Sequence, residues 1–313
     1  MNYSREFMGM RHCMKYMVVL ASLLAGMTSC GRSIKSDAGE KLLMCGDDRL
    51  MIIAPPGLVD DSAKVLWQWR VEEAASQLPE EYMKLMIPLD ECKQVGDGSR
   101  ILMTSSGGGV LLLDKETRRS LFYAHVPMAH SAELLPGEKI AVALSTHPQG
   151  NSIELYDINR SDRCLFRDSL YSGHGVVWME AEQKLYALGY DELRAYTFGK
   201  KSEDSLSLTL VQTWSLPSEG GHDLISIGGN ELLVSTHEHV YLFDTGKQAF
   251  TPFAPLADVK NVKSANYDKG QDRLVYTKAE ISWWTHHVYI REKGHESHFE
   301  VDSVRLYKVR PWK

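Results

Sequence analysis

A histidine returns at one place in a repeated unit: Ala129-His130-Ser131, Gly173-His174-Gly175 and Gly221-His222-Asp223 each precede an apolar strand-like run, a hairpin and a further strand-like run. The apolar cores that follow read Ile140-Ala141-Val142-Ala143, Leu185-Tyr186-Ala187-Leu188 and Leu232-Leu233-Val234-Ser235. Two weaker copies flank them, Glu91-Cys92 before Ile101-Leu102-Met103-Thr104 and Lys263-Ser264 before Leu274-Val275-Tyr276-Thr277. Starts at 91, 130, 174, 222 and 263 give a period of roughly 40–50 residues, the length of a propeller blade. A repeat of that length built from short strands and turn residues predicts an all-β fold, a single β-propeller.

Runs at the same place in three units end in aspartate, at Val110-Leu111-Leu112-Leu113-Asp114, Ile153-Glu154-Leu155-Tyr156-Asp157 and Val240-Tyr241-Leu242-Phe243-Asp244. The short carboxylate suits a turn, where it bonds the backbone two residues on. Leu42–Ile53 reads as two strands with their hairpin, Val65–Trp69 as a third, and Val304–Val309 as a spare strand at the other end of the chain. Joining these ends in one composite blade closes the ring and hides two sheet edges. The count is then six blades, with five or seven also compatible with divergent repeats. Residues 72–87 break the β pattern: Ala74, Ala75, Leu78, Tyr82, Leu85 and Met86 approach helical spacing and Pro79 divides two short turns, a helical insertion packed on one face. Ser106-Gly107-Gly108-Gly109 lacks the strand-to-helix setting of a phosphate loop and reads as a tight hairpin.

Ahead of the repeats, Arg5, Arg11 and Lys15 precede an apolar run from Met17 to Met27, too short for a bilayer span of about 20 residues. The run ends in Met27-Thr28-Ser29-Cys30, which resembles the lipobox of bacterial lipoproteins. That resemblance implies a signal peptide over 1–29, a lipid anchor on Cys30, a tether over 30–40 and a propeller domain over 41–313. The expected location is the cell envelope, the outer membrane of a Gram-negative bacterium. A formal net charge of −6 and the lack of a Lys/Arg run offer no footprint for nucleic acid. Cys45, Cys92 and Cys164 sit at no metal-clip or redox spacing and read as small buried hydrophobes.

The candidate site follows from the repeat. Glu91, His130, His174, His222 and Lys263 hold equivalent positions, so blade symmetry predicts that they rim one channel mouth, a usual place for a ligand. His147, Tyr190 and His237 follow the first apolar run of their units. They share that mouth if an unrecognised strand precedes each run, and otherwise lie on the opposite face. Three imidazoles around one axis offer nitrogen donors to a divalent metal at His130, His174 and His222, or hydrogen bonds to an organic ligand, or caps on neighbouring blades. Trp283-Trp284 and His286-His287 supply rings suited to the apolar face of a sugar.

Pro127–Glu133, Ser172–Trp178 and Ser282–His287 together resemble an uncharacterised family of exported bacterial lipoproteins with a propeller fold. More distantly, axial histidines in a propeller are similar to the metal site of oligogalacturonate lyases; only His130, His174 and His222 carry that similarity over, and Lys263 or Glu91 stands where those enzymes hold glutamine. The expectation is a membrane-anchored propeller that binds a small polar ligand, a glycan fragment. A lyase acting on uronate glycans, with a metal or Lys263 offsetting the carboxylate and a His or Tyr190 as base, is the alternative, and a protein-docking scaffold is the third.

Overall fold

Strand runs such as Lys139-Ile-Ala-Val-Ala-Leu144 are apolar at nearly every position, which a sheet tolerates only if both of its faces are covered. The computed structural model describes residues 41–56, 62–202 and 205–313. The expected signal segment, Cys30 and tether lie outside the described residues. Among the described residues, twenty-four strands form six four-stranded antiparallel sheets arranged as the blades of a β-propeller. In chain order, β1 (Lys41–Gly46), β2 (Arg49–Ala54) and β3 (Lys64–Arg70) come first. Blade 1 is β4 (Leu89–Val95), β5 (Arg100–Ser105), β6 (Gly109–Asp114) and β7 (Ser120–His125). Blade 2 is β8 (Ala129–Leu135), β9 (Lys139–Leu144), β10 (Ser152–Asp157) and β11 (Cys164–Ser169). Blade 3 is β12 (Gly175–Met179), β13 (Lys184–Leu188), β14 (Glu192–Ser202) and β15 (Ser205–Ser215). Blade 4 is β16 (Asp223–Ser226), β17 (Glu231–Ser235), β18 (Val240–Asp244) and β19 (Ala249–Pro252). Blade 5 is β20 (Val262–Asp268), β21 (Arg273–Lys278), β22 (His287–Glu292) and β23 (His295–Glu300), and β24 (Leu306–Trp312) follows it.

Blade 6 is composite: β24 pairs antiparallel with β1, in the order β24-β1-β2-β3. The closing strand expected from Val304–Val309 is therefore present, shifted to begin at Leu306, and it is the innermost strand of its blade.

Alternation splits each run between two interfaces. Along β9, Ile140, Val142 and Leu144 pack against blade 1 with Leu102, Val110 and Leu112, whereas Ala141 and Ala143 pack against blade 3 with Val176, Leu185 and Ala187. Six such clusters fill the six spaces between neighbouring blades. Each fully buried Leu, Ile or Val contributes roughly 1.5–3 kcal/mol, so the stability of the ring is spread over all its interfaces.

The helical insertion is a 3-10 turn at Val71–Ala74 and a short helix α1 (Glu80–Leu85) that begins after Pro79. Val71, Ala74, Leu78 and Met86 join the core between blades 6 and 1, while Ala75 is exposed. Residues 106–108 form a tight turn between β5 and β6; a Cβ on Gly109 would collide with Met86 Sδ and Leu85 O, which is why glycine stands where the insertion crosses this hairpin. Cys45 and Cys92 are buried as expected, but Cys164 is exposed, because β11 is an outermost strand with a solvent face. Among the described residues, no helix is long and apolar enough to cross a membrane.

Candidate functional site

An innermost strand precedes each apolar core that the sequence marks as a first strand: β4, β8, β12, β16 and β20. Innermost strands begin at what we call the upper mouth and end at the lower mouth. The hairpins carrying His147, Tyr190 and His237, which join second to third strands, therefore share the upper mouth with the histidines.

At the start of the innermost strands stand Asp90, His130, His174, His222, Lys263 and Tyr307. In blades 1, 2 and 5 the register shifts across this residue, between Leu89 and Glu91, between Ala129 and Ser131, and between Val262 and Ser264. A matching shift occurs between β1 and β24 opposite Met44–Gly46. Such a bulge adds one residue and re-aims its side chain. It also corrects the sequence alignment of Glu91 with the histidines: Asp90 is their equivalent, and Glu91 lies one layer deeper. Tyr307 is the sixth member.

Below this ring, side chains recur every second residue on the channel side. Glu91, Ser131, Asp223, Ser264 and Lys308 are in the middle layer, and Lys93, Glu133, Val177, Ile225, Asn266 and Arg310 in the lower one. Their bonds cross between blades. Arg310 spans the axis to both Asp223 oxygens, with Nη1 to Oδ2 at 2.9 Å and Nη2 to Oδ1 at 2.5 Å, and also reaches Glu91. Lys308 Nζ donates to His174 O at 2.9 Å and stands 3.2 Å from Asp223 Oδ1. Lys93 Nζ donates to Val176 O at 2.7 Å and pairs with Glu133 at 3.2 Å. Burial pushes the Glu91 carboxyl up, but Lys308, Lys93 and Arg310 outweigh it and hold it below its ordinary value. Asp223 is likewise opposed by burial and held far below its ordinary value by Arg310 and Lys308. Ionised side chains thus cross the channel between its two mouths.

In the upper ring burial acts the other way. It drives His130 down to about 4, and drives His174 and His222 well below the usual imidazole range, helped by His130 and Lys263 respectively. Lys263 falls to about 8 through burial and Lys308, and Asp90 rises to about 7 through burial against bonds from Ser106. The imidazoles are neutral at pH 7. His130 donates from Nδ1 to Met128 O at 3.1 Å and His174 from Nδ1 to Ser172 O at 2.8 Å, which leaves each Nε2 as an acceptor. His222 Nε2 instead accepts from Lys263 Nζ at 2.6 Å, while its buried Nδ1 has no hydrogen-bond partner among the described residues.

Residues 58–313 match the sequence profile of a family of unknown function, DUF6528. The chain belongs to the DUF6528 family. No curated protein matches it. Membership agrees with the expected kinship to an uncharacterised family and brings no activity with it.

In this DUF6528 chain the three imidazoles meet edge to face. The ring centroids of His130 and His174 are 4.6 Å apart and those of His174 and His222 5.5 Å apart, each pair edge to face. Among the described residues no group of three or more His, Cys, Asp or Glu is disposed to hold a metal ion, and Lys263 occupies the His222 lone pair that a metal would need. In place of the metal triad expected at His130, His174 and His222 stands a row of rings in edge-to-face contact. The row extends at both ends: His222 meets His237 at 4.7 Å, His237 meets Tyr190 at 6.0 Å and Tyr190 meets Tyr171 at 5.6 Å, while His130 meets Tyr307 at 6.0 Å and Tyr307 meets Trp283 at 5.9 Å. Its ends are open to solvent, Tyr171 being 56% and Trp283 37% exposed. Gly220, at φ +81, makes room for His237, since a Cβ there would strike the imidazole. His147 stays apart, its Nδ1 accepting from Gln149 N within its own hairpin at 3.0 Å.

Sequence reading missed Asp90, Tyr307, Lys308 and Arg310. The signal was the polar alternation of the innermost strands, Glu91/Lys93, Ser131/Glu133, Ser264/Asn266 and Lys308/Arg310, which resembles the solvated face of an edge strand.

The upper ring makes stability depend on pH. The three imidazoles have folded pKa values below the unfolded value of about 6.5, so their contribution is present above that pH and is lost as pH falls toward 4. Asp90, raised to about 7, acts oppositely, but one carboxyl stands against three imidazoles. The urea midpoint should fall between pH 6.5 and pH 4.5; a midpoint that is flat or rises over that interval contradicts the neutral ring.

Proposed function

We propose that the chain is an exported, lipid-anchored propeller that binds a small hydroxyl-rich ligand, a glycan fragment, at its upper mouth. One observation carries this reading: all six equivalent positions at the upper mouth hold hydrogen-bonding side chains, above the ion pairs that cross the channel. Neutral His130 and His174 offer Nε2 acceptors, Lys263 and Tyr307 offer donors, and Trp283 and Tyr190 stand on the rim as stacking surfaces for a sugar face. Calorimetric titration with neutral and uronate-containing oligosaccharides should show binding that His174→Ala weakens by about 1–3 kcal/mol, the cost of leaving polar partners unpaired. If no saccharide binds, a protein-docking scaffold replaces this reading.

A uronate lyase is the second reading, favoured by a cation and an unprotonated base side by side in the ring. Lys263 would offset the uronate carboxylate while a neutral imidazole takes the proton α to it and the glycosidic C–O bond breaks. Growth of the absorbance of an unsaturated uronate during the same titration would convert binding into turnover.

The anchor rests on Met27-Thr28-Ser29-Cys30. Cys30→Ser should release the protein from the membrane fraction or stall its processing; an unchanged membrane fraction with an unchanged mass removes the anchor.

A further inference from the structure

Lys93, Lys263 and Lys308 all stand in the channel, and their partners differ. Lys93 pairs with Glu133 at 3.2 Å and Lys308 with Asp223 at 3.2 Å. Lys263 has no carboxylate beside it among the described residues; its bond goes to an imidazole, from Nζ to His222 Nε2 at 2.6 Å. A buried amine without a counter-ion gives up its proton readily and becomes a nucleophile, the more so beside a second cation. Burial, and after it the charge of Lys308 one layer below, bring Lys263 down to about 8, so that roughly a tenth of it is uncharged at pH 7. Lys263 keeps 6% of its surface open and stands at the upper-mouth end of β20. His222 accepts at Nε2, so its own hydrogen sits on Nδ1 and Nε2 is the nitrogen placed to take a proton from the amine.

We propose that Lys263 is a nucleophilic amine that forms an imine with a small carbonyl compound at the upper mouth. This rests on the reading of that mouth as a ligand site, and it gives the ligand an aldehyde or ketone carbon. Lys263 Nζ attacks that carbon, and one amine proton passes to His222 Nε2, which returns it to the carbonyl oxygen. The C–O bond of the carbinolamine then breaks, the hydroxyl leaves with the second amine proton as water, and a C=N bond stands where C=O stood. No oxidant or reductant is consumed. Lys93 and Lys308, each held beside a carboxylate, do not share this chemistry. A suitable carbonyl comes from two sources, the open-chain form of a reducing sugar or a 2-oxo acid.

The test is imine trapping on the full natural chain at pH 7 with two probes, glycolaldehyde and pyruvate, each in the presence of cyanoborohydride. The reagent delivers hydride to the C=N carbon and fixes the adduct as a secondary amine. Mass spectrometry of the proteolytic peptides then reads the extent of reaction at each lysine over time. With at least one probe, Lys263 should react at least about tenfold faster than the exposed Lys84 and Lys247, as expected of an activated amine. A larger ratio of Lys263 to Lys84 with glycolaldehyde assigns the ligand to open-chain sugars, and a larger ratio with pyruvate assigns it to 2-oxo acids. The proposal is overturned if Lys263 reacts no faster than Lys84 and Lys247 with either probe. A chain that binds oligosaccharide while Lys263 stays unlabelled keeps the function proposed above and loses this inference. Labelled Lys263 in a chain that binds no oligosaccharide keeps this inference and loses the glycan.

Discussion

Replacing Arg310 with methionine is expected to lower the free energy of unfolding by about 3–5 kcal/mol, as when one partner of a buried ion pair is removed. Arg310 lies on the propeller axis, where it binds both oxygens of Asp223 in blade 4 and reaches Glu91 in blade 1. Without it, two carboxylates at most 2% exposed keep Lys308 near both and Lys93 near Glu91. The loss should be largest near neutral pH and shrink in acid. Both carboxyls are held below their ordinary values in the folded chain, so the stability they supply is present above the unfolded carboxylate range and disappears as pH falls through their folded values. A surface pair makes the contrast. Lys247 bonds Asp244 at 2.7 Å but is 81% exposed, and Lys247→Ala should cost under about 1 kcal/mol. Urea unfolding of the two variants side by side measures the difference, and equal losses would mean that the axial network does not bind the ring together.

Deleting residues 304–313 should abolish cooperative unfolding altogether. The segment carries β24, the innermost strand of blade 6, and its removal strips β1 of its inner partner. Val309 also ties the strand to blade 5, receiving Asn266 Nδ2 on its carbonyl and donating from its N–H to Ser264 Oγ. Tyr307, Lys308 and Arg310 leave with it, so the upper ring loses one member and the plug loses two of its three cations. Edge exposure and loss of the axial charges act together, and the expected product is an open chain of blades with a broad, non-sigmoidal melt. A truncated protein that kept its midpoint would show that the ring closes by other means.

The blade count and the composite closure were legible because each depends on runs of apolar residues whose spacing survives divergence. Leu232-Leu233-Val234 in blade 4 and Ile140-Ala141-Val142 in blade 2 mark second strands whatever their neighbours do. Innermost strands were harder to see. Their channel faces carry Glu91, Lys93, Glu133 and Asp223, and nothing local distinguishes a charge that meets a partner across an axis from one that meets water. The one-residue misplacement of Glu91 has a similar origin, since the bulge after Leu89 inserts Asp90 without any change in composition. The metal expectation failed on geometry that spacing does not encode: ring positions fix where each histidine begins, while the carbonyls of Met128 and Ser172 and the amine of Lys263 fix where its nitrogens point.

The central claim, that the upper ring is a ligand site, is tested most directly by the nitrogen-15 resonances of the imidazoles during titration with the oligosaccharide that binds most tightly. The account predicts saturable shifts at His130, His174 and His222, with the side-chain amide of Asn266 in the lower layer unmoved. Saturable binding that leaves all three imidazoles unchanged would contradict it.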